Sequence, residues 1–386
     1  MSRAIYDDDH EIFRDSVRSF MINEVKPNSD RWNEQGIVDR DVFLKAGEQG
    51  LLLMWADEKY GGAGVSDFRY EQILIEELSK HGDVGFFCWL HSRLVAPYIG
   101  DLGTEEQKQR WLPKCVSGES ILAIAMTEPG AGSDVAGIRS RAEDKGDHFL
   151  LNGSKTFVSN GILADLVVVA ARTNPDTTHG LSLFVVERGM EGFERGKNLK
   201  KMGLKSQDTA ELFFHDVKVP KENLLGELHR GFYHLMHGLA EERLLGAVGY
   251  LACCEAAYDV TMDYIHERKA FGRPIAAFQN TRFLMANART EMDVAHAYVD
   301  QCVTQHNAGE LSPDNAAKAK LFTSELEFRV TDTCLQLHGG NGYMDEYPIS
   351  RMYTNARISR IYAGSSEIMR EIIARSIGLD SRKRTS

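Results

Sequence analysis

The chain changes character at Ile121–Asp134, which reads ILAIAMTEPGAGSD. The first four residues are apolar and predict a short strand, and the Gly- and Pro-rich residues that follow predict a loop. Gly130 and Gly132 can adopt backbone conformations closed to other residues, so a ligand can approach this backbone closely. From composition alone, a surface turn is the simpler interpretation, and a wall beside a flat polar ligand is the alternative. The rest of the chain decides between them.

Helical periodicity lies on both sides of a central region of strands. Before the loop, apolar residues recur at helical spacing and predict helices that include residues 12–24, 42–53, 68–81 and 86–99. After the loop, short apolar runs alternate with turn signals such as Asn152-Gly153, which is typical of a small antiparallel β domain. Towards the end, long apolar-periodic stretches at residues 244–265, 283–305 and 316–337 predict a helical bundle.

These patterns predict a fold that is mainly α with a middle β domain. We expect an N-terminal helical domain at residues 1–120, an antiparallel β domain at 121–228 and a C-terminal four-helix bundle at 229–386. A chain of 386 residues is long enough for two or three such packed units.

The composition and the absence of some motifs argue against several classes of function. A net charge of −11 argues against a nucleic-acid partner and against adhesion to an anionic membrane. No run of about 18 apolar residues predicts a membrane span. The chain lacks a Gly-x-Gly-x-x-Gly motif after a strand and a P-loop, which argues against those nucleotide-binding folds. The thirteen histidines show no His-Glu-x-x-His spacing, so no metal site is expected.

The cysteines and the N-terminus indicate the compartment. None of the six cysteines forms a Cys-x-x-Cys pair, which favours a reduced set in a reducing compartment. The first ten residues are polar and acidic, unlike a signal peptide. We therefore expect a cytoplasmic protein of bacterial type, or a mitochondrial matrix protein if a presequence has been removed.

Six separated stretches, in the same order and over nearly the whole chain, resemble the acyl-CoA dehydrogenase family of flavoenzymes. They are Ala125–Asp134, Lys155–Gly161, Lys201–Thr209 with Val217–Asn223, Glu267–Ile275 with Phe278-Gln279, Gln336–Tyr343 and Arg360–Ile368. The likeness is closest to the long-chain acyl-CoA dehydrogenase branch, because of Ala240–Leu245 and Ile361–Gly364.

The resemblance implies a fold, a cofactor and a reaction. The fold is a helical domain, a β domain and a helical bundle, with FAD between the last two and with four identical subunits as a dimer of dimers. The reaction is α,β-dehydrogenation of a medium-chain, long-chain or branched acyl-CoA to its trans-2-enoyl-CoA. A glutamate takes the α-proton, N5 of FAD takes the β-hydride, and electrons pass to an electron-transfer flavoprotein.

The position of the base is the unusual feature of this chain. Many relatives carry the carboxylate in an Ile-Tyr-Glu-Gly motif, where this chain has Ala363. Either the chain has lost catalysis, or the base comes from elsewhere. The long-chain and isovaleryl branches place it on a bundle helix immediately before an arginine, which here is Glu242-Arg243. The resemblance therefore implies Glu242 as the base, while Glu241, turned about 100° around the helix, is expected to be solvated.

The resemblance also implies the surroundings of the reacting carbons. The backbone N–H of Ala363 would hold the thioester oxygen together with a ribityl hydroxyl of FAD, and Gly364 would keep the passage open. Arg243 would steer the pantetheine arm or hold the helix, two readings that stay open. Ser133 would contact the thioester arm, and the acyl chain would run among the helix residues 87–99 and behind Glu242.

The remaining implied contacts are to FAD. Phe157 would cover one face of the flavin ring and Ser159 would bond near N5, whereas core packing of Phe157 is the alternative. Glu128 in the loop is expected to be structural. Arg268 and Phe271 would meet the pyrophosphate and adenosine of a neighbouring subunit's flavin. Further polar or backbone contacts are implied for Met126, Thr127, Gly132, Ser133, Val158, Gln279, Gln336, Gly339, Gly340, Ser365, Ser366 and Glu367.

Three other functions share this fold. One is an acyl-carrier-protein dehydrogenase and another is a flavin oxidase. The third is a catalytically inert protein that binds FAD or acyl-CoA, as Ala363 alone would suggest.

Overall fold

The N-terminal part of the chain is helical. The computed structural model describes residues 3–379, so the two ends of the predicted terminal domains, 1–2 and 380–386, lie outside the described residues. The helices of this part are α1 (Asp8–Phe20), α2 (Ser29–Gln35), α3 (Asp41–Glu48), α4 (Phe68–His81), α5 (Ala96–Leu102) and α6 (Glu105–Val116). The predicted helix at residues 68–81 is confirmed, with Asp67 capping its first turn.

Two predicted helix bounds are wrong. The helix expected at residues 42–53 ends at Glu48, because Gly50 takes a positive φ of 68° and turns the chain inward. The helix expected from residue 86 begins only after Phe87. The Phe86 N–H donates to the Asp83 carbonyl and closes a turn before the helix. Both segments are helical in part, as predicted, but a local turn limits each helix.

A π-helical turn at Leu90–Val95 leads into α5. Pro97 follows two residues later and lacks the N–H that a regular helix would direct at the carbonyl four residues back. A second π-turn at Met21–Val25 likewise precedes a proline, Pro27. The widened turn places Leu94 and Tyr98 beside the helix α7 described below.

The middle part forms one eight-stranded sheet. Its strands are β1 (Leu122–Ala125), β2 (Arg141–Asp144), β3 (His148–Ser159), β4 (Leu166–Arg172), β5 (Leu181–Glu187), β6 (Phe193–Asn198), β7 (Thr209–Pro220) and β8 (Leu224–Leu225). The order is β6-β7-β3-β2-β4-β5-β8, with β1 also paired to β4. The pairing is antiparallel as predicted, except that β1 and one residue of β2 run parallel to β4.

Asn152-Gly153 is not the turn that its composition predicts. Both residues lie within β3, where the register with β7 shifts and creates a bulge. Gly153 has a φ of 148°, and a Cβ there would lie 2.3 Å from the Ser140 hydroxyl. The glycine is therefore required by the close approach of Ser140, the residue before β2, a tertiary contact that a dipeptide signal does not reveal.

The last part is a bundle of three long helices and two shorter ones. They are α7 (Gly231–Glu267), α8 (Gln279–Asn307), α9 (Pro313–His338), α10 (Pro348–Ala356) and α11 (Ser366–Ser376). A short hairpin of β9 (Lys269–Ala270) and β10 (Arg273–Pro274) separates α7 from α8. Phe68 and Ile75 of α4 share a buried apolar cluster with Leu244 and Val248 of α7. This contact packs α7 against the N-terminal helices.

Candidate active site

The three parts of the chain meet around a cavity of about 140 Å³. It is apolar on the side of the N-terminal helices and carries one carboxylate, Glu242, on the side of the bundle. Seven of the predicted site residues line it together: Met126, Thr127, Phe157, Val158, Ser159, Glu242 and Ala363. The loop after β1 therefore forms a wall of this cavity. Its composition alone did not distinguish such a wall from a surface turn.

Glu242 is a buried carboxyl group on α7, only 6% exposed. Burial raises the pKa of the Glu242 carboxyl to about 7, against the opposing effects of a hydrogen bond from Tyr98 and the charge of Arg243. The Tyr98 hydroxyl donates to Glu242 Oε1 over 2.9 Å. A carboxylate with a pKa near neutrality can accept a proton from a weak carbon acid and release it again.

Glu241 is not the solvated carboxylate that its position predicts. Its carboxylate lies 2.7 Å from Arg93 Nε and 2.8 Å from His306 Nε2, and its side chain is only 26% exposed. The helical rotation does turn it away from Glu242, as predicted. That side of α7 faces the π-turn and α8 instead of solvent, which explains the difference.

Ala363 lies in a strained loop between α10 and α11. It has a φ of 52° and Gly364 a φ of 91°, both in the left-handed region. A Cβ at Gly364 would lie 2.6 Å from the Met369 methyl group. The buried Lys320 Nζ donates to the carbonyls of Ser359 (2.8 Å) and Gly364 (2.7 Å) and so holds both ends of the loop.

Sequence reasoning missed the role of Lys320. A signal was present, because Lys320 falls at the spacing of the buried residues Ala316, Thr323 and Glu327 on α9. A lysine on a buried helix face needs acceptors, and backbone carbonyls of a neighbouring loop provide them here.

A second cavity of about 510 Å³ adjoins the first. The two share Phe87, Phe157, Ser159 and Tyr362, and the larger one extends along Met202–Leu204 and Ile358. Phe157 has a φ of 57° and is 68% exposed, so its alternative reading as a core residue is wrong. A broad apolar cavity with an exposed aromatic ring and a hydroxyl beside it fits a flat cofactor such as a flavin ring.

Glu128 has the structural role that the sequence predicts. Its carboxylate pairs with the buried Lys155 Nζ at 2.8 Å and accepts the backbone N–H groups of Arg139 and Ser140. Lys155 also donates to the Met126 carbonyl over 3.0 Å. The loop is therefore tied to β3, and Glu128 is paired instead of being free to act as a base.

The other predicted contacts lie away from these two cavities. Ser365 caps α11 by accepting the Ile368 N–H, with Ser366 buried and Glu367 exposed behind it. Arg243 is buried beside Glu242. Exposed positions are occupied by the remaining predicted residues: Gly132, Ser133, Arg268, Phe271, Gln279, Gln336, Gly339 and Gly340.

Two absences apply to the described part of the chain. Within residues 3–379, no group of three or more His, Cys, Asp or Glu side chains is arranged to hold a metal ion. Over the same residues, no helix has the length and apolar character needed to cross a membrane.

Comparisons with known proteins cover almost the entire chain. Family models match for the acyl-CoA dehydrogenase N-terminal domain at residues 7–119, its middle domain at 123–217 and its C-terminal domain at 229–378. The mitochondrial long-chain specific acyl-CoA dehydrogenase of Mus musculus is 47% identical over 382 residues, 98% of this chain and 89% of that protein. The mitochondrial isovaleryl-CoA dehydrogenase of Solanum tuberosum is 36% identical over 97% of this chain and 91% of that protein.

Among solved structures, an acyl-CoA dehydrogenase from Geobacillus kaustophilus is 46% identical and superposes with a TM-score of 0.96. The match covers 98% of this chain and 100% of that one. The predicted fold and the predicted family are thereby confirmed. The chain belongs to the acyl-CoA dehydrogenase family of FAD-dependent oxidoreductases.

Proposed function

We propose that this enzyme converts a medium-chain, long-chain or branched acyl-CoA to the trans-2-enoyl-CoA, with Glu242 as the base. The observation that carries the proposal is the buried Glu242 carboxyl, which shares one small cavity with Ala363. The likeness to long-chain and isovaleryl-CoA dehydrogenases supports the same substrate classes.

The chemistry requires a base at Cα and an acceptor at Cβ. Glu242 takes the α-proton, because its desolvated carboxylate is more basic than one in water. The Ala363 N–H binds the thioester oxygen and stabilises the negative charge that develops as the proton leaves. When bound, FAD supplies hydride acceptance at N5. The apolar residues Leu90 and Leu94 line the cavity, exclude water and receive the acyl chain.

The exposed Phe157 ring supports a flavin in the larger cavity, beside Ser159. Met126, Thr127 and Val158 would contact the same group, and Gly132 and Ser133 would approach the ribityl and thioester arms. Ser365, Ser366 and Glu367 would add contacts from the start of α11. Gly364 would leave the passage open, and Arg243 would steer the pantetheine or hold α7.

The remaining predicted residues fit a site completed by a neighbouring copy. Arg268, Phe271 and Gln279 are exposed near the β9–β10 hairpin, and Gln336, Gly339 and Gly340 are exposed at the end of α9. Their exposure leaves them accessible to a neighbouring copy, so we propose a homotetramer in which Arg268 and Phe271 meet a neighbour's FAD and the other four residues add polar or backbone contacts to FAD. We further propose an electron-transfer flavoprotein as the electron acceptor. Two relatives are mitochondrial proteins by name, which is compatible with the matrix alternative.

Anaerobic titration with acyl-CoA tests this function. The purified protein should be yellow, and acyl-CoA thioesters of increasing length and branching should bleach its flavin. Slow re-oxidation by air then supports a dehydrogenase, whereas rapid re-oxidation would identify an oxidase. Bleaching by acyl-carrier-protein thioesters alone would identify the carrier-protein enzyme. A yellow protein that no thioester bleaches would be the inert homologue and would overturn the proposal.

A further inference from the structure

A hydrogen bond from the N-terminal helices reaches the carboxylate assigned as the base. Tyr98 lies in α5, and its hydroxyl donates to Glu242 Oε1 over 2.9 Å. Both side chains are buried, at 6% exposure each. Among the described residues, no other side chain donates a hydrogen bond to this carboxylate. The contact joins two elements that are 144 residues apart in sequence.

The helix α7 provides the space for this contact. Gly238 lies one turn before Glu242 on the same helix face. A Cβ at Gly238 would lie 3.1 Å from the Tyr98 hydroxyl oxygen and 3.5 Å from Glu242 Oε1. Glycine in the middle of a helix is less favourable than alanine, because it loses more backbone entropy on folding. A glycine here therefore leaves room for the Tyr98–Glu242 pair at some expense to the helix.

Glu242 lies between two cavities, and Tyr98 approaches it from one of them. Glu242 and Leu94 line both the cavity that contains Ala363 and a further cavity of about 180 Å³. Tyr98 lines only the further one, so it reaches Glu242 from the side away from Ala363. A hydrogen bond from that side leaves the other carboxylate oxygen available to a substrate carbon.

We propose that Tyr98 is a positioning residue for Glu242: its hydroxyl fixes the carboxylate towards Ala363 and favours the ionised form that accepts the proton. The proposal rests on the proposed function, because it takes Glu242 as the base. A phenol donates most strongly to a carboxylate that carries the charge, so the bond disfavours protonation of Glu242.

Other charged and titratable groups surround Glu242. From α7, the charge of Arg243 lowers the pKa of Glu242 and that of Glu241 raises it. The cavity behind Glu242 is lined by further ionisable side chains. Besides Tyr98 and Glu241, they are Arg93, Asp101, His234 and His237. Tyr250 and Tyr362 face it from the reaction side. Of these groups within the described chain, Tyr98 is the one that donates a hydrogen bond to Glu242, and Tyr98→Phe removes that bond by deleting one oxygen without changing a charge.

Tyr98→Phe tests the proposal through the pH dependence of flavin reduction by acyl-CoA. Without the hydroxyl, the ionised form of Glu242 loses its hydrogen bond, so its pKa rises. The acidic limb of the pH–rate profile should therefore move to higher pH by about one unit. The rate at high pH should change much less than the rate near neutrality. Tyr60→Phe is the matched control, because Tyr60 is also buried and also donates to a glutamate, Glu105, and neither residue lines a cavity beside Glu242.

Gly238→Ala provides a second variant that retains the tyrosine. The added methyl group would crowd the hydroxyl and weaken the bond, so the acidic limb should move in the same direction. Infrared difference spectroscopy detects the protonated carboxyl and so measures the titration of Glu242 without turnover. The Glu242 band is the one that disappears in Glu242→Gln. The band should titrate at higher pH in both variants and at the wild-type pH in Tyr60→Phe.

The two readouts separate failure of this inference from failure of the proposed function. If Glu242→Gln reduces its flavin normally, Glu242 is not the base, whatever the infrared titration shows. If Glu242→Gln is inactive but Tyr98→Phe and Gly238→Ala both titrate and react with wild-type pH dependence, Tyr98 has no positioning role.

Discussion

At the scale of single residues, the site depends on where one carboxylate is placed. The loop position at which the family resemblance would place a glutamate is Ala363, and the buried carboxylate of the cavity is Glu242 on α7. The side chain of Ala363 is dispensable if only its backbone N–H is used. The loss of a carboxylate from the loop is then compatible with activity, because another one faces the same cavity.

The pKa of Glu242 predicts a pH dependence. Since Glu242 is protonated below a pKa of about 7 and a protonated carboxyl cannot accept the α-proton, flavin reduction should slow as the pH falls. The second-order rate constant for flavin reduction should drop about tenfold per pH unit below neutrality and level off above it. Stopped-flow absorbance at low acyl-CoA concentration measures this. An acidic limb near the ordinary glutamate pKa of about 4.3 would contradict the effect of burial.

Sequence reasoning identifies the residue types at the site better than their partners. Glu242 follows from the resemblance, and its burial agrees with a base of raised pKa. Its contact with Tyr98 was not predictable, because it joins segments far apart in sequence. For Lys320, helical spacing indicates the burial but not which carbonyls it binds. Glu241 was misassigned because helical periodicity gives the direction of a side chain but not which neighbouring helix covers it.

At the scale of elements, buried lysine side chains hold the two loops that form the site. Lys155 and Glu128 tie the loop after β1 to β3, and Lys320 ties the Ala363 loop to α9. Each of these lysines is buried, and burial lowers the pKa of both to about 8. Both act as hydrogen-bond donors between elements, in addition to the Thr156 N–H bond to the Thr127 carbonyl and the Ser359 hydroxyl bond to the Ser324 carbonyl.

Lys320→Met should loosen the loop that carries Ala363. The carbonyls of Ser359 and Gly364 would lose their donor, at a cost of about 1–3 kcal/mol in the free energy of unfolding for each one left unsatisfied. The rate of flavin reduction should also fall, because the Ala363 N–H, which we propose binds the thioester, is less well fixed. Urea denaturation and stopped-flow reduction measure the two effects.

Lys318→Met is the control for that variant. Lys318 lies two residues earlier on α9 and forms a half-exposed pair with Asp314, one helical turn away. Its loss should cost only about 0.3–0.5 kcal/mol and leave flavin reduction unchanged. Equal effects of the two substitutions would show that Lys320 does not support the loop.

The elements themselves were predictable where their periodicity is long. The three long helices of the bundle and the helix at residues 68–81 follow from apolar spacing. The errors occur where a tertiary contact outweighs a local signal. Asn152-Gly153 is a bulge because Ser140 packs against it, and the π-turn before α5 is a response to Pro97 that apolar spacing does not show.

At the scale of the whole molecule, the cavity lies where three parts of the chain meet. We propose domain boundaries at 120/121 and 228/229, which lie between α6 and β1 and between β8 and α7. The order of helices, strands and helices was predictable from periodicity. The position of α7 between the other two parts was not, because it depends on packing of α4 against α7.

The exposed residues near the hairpin predict an effect of assembly on FAD. Phe271 is 97% exposed in the single chain, which is unusual for so large an apolar side chain. If a neighbouring copy covers it and shares its FAD, Phe271→Ser should lower the tetramer fraction and the FAD content together. Analytical ultracentrifugation and the ratio of flavin to protein absorbance measure both.

Ile12→Ser provides the comparison, because Ile12 is 70% exposed on α1 and belongs to none of the predicted FAD contacts. It should leave both quantities unchanged. A Phe271→Ser protein with full FAD content and wild-type assembly would contradict the proposed contact.

The most direct test of the central claim is anaerobic flavin reduction in Glu242→Gln, compared with Glu241→Gln. Both changes replace a carboxylate by an amide on adjacent residues of α7, but only Glu242 lines the cavity with Ala363. We predict that Glu242→Gln stays yellow with full FAD content and is reduced by acyl-CoA about 10² to 10⁴ times more slowly than the wild type. Glu241→Gln should still bleach readily. Bleaching of Glu242→Gln at the wild-type rate would contradict the assignment of the base.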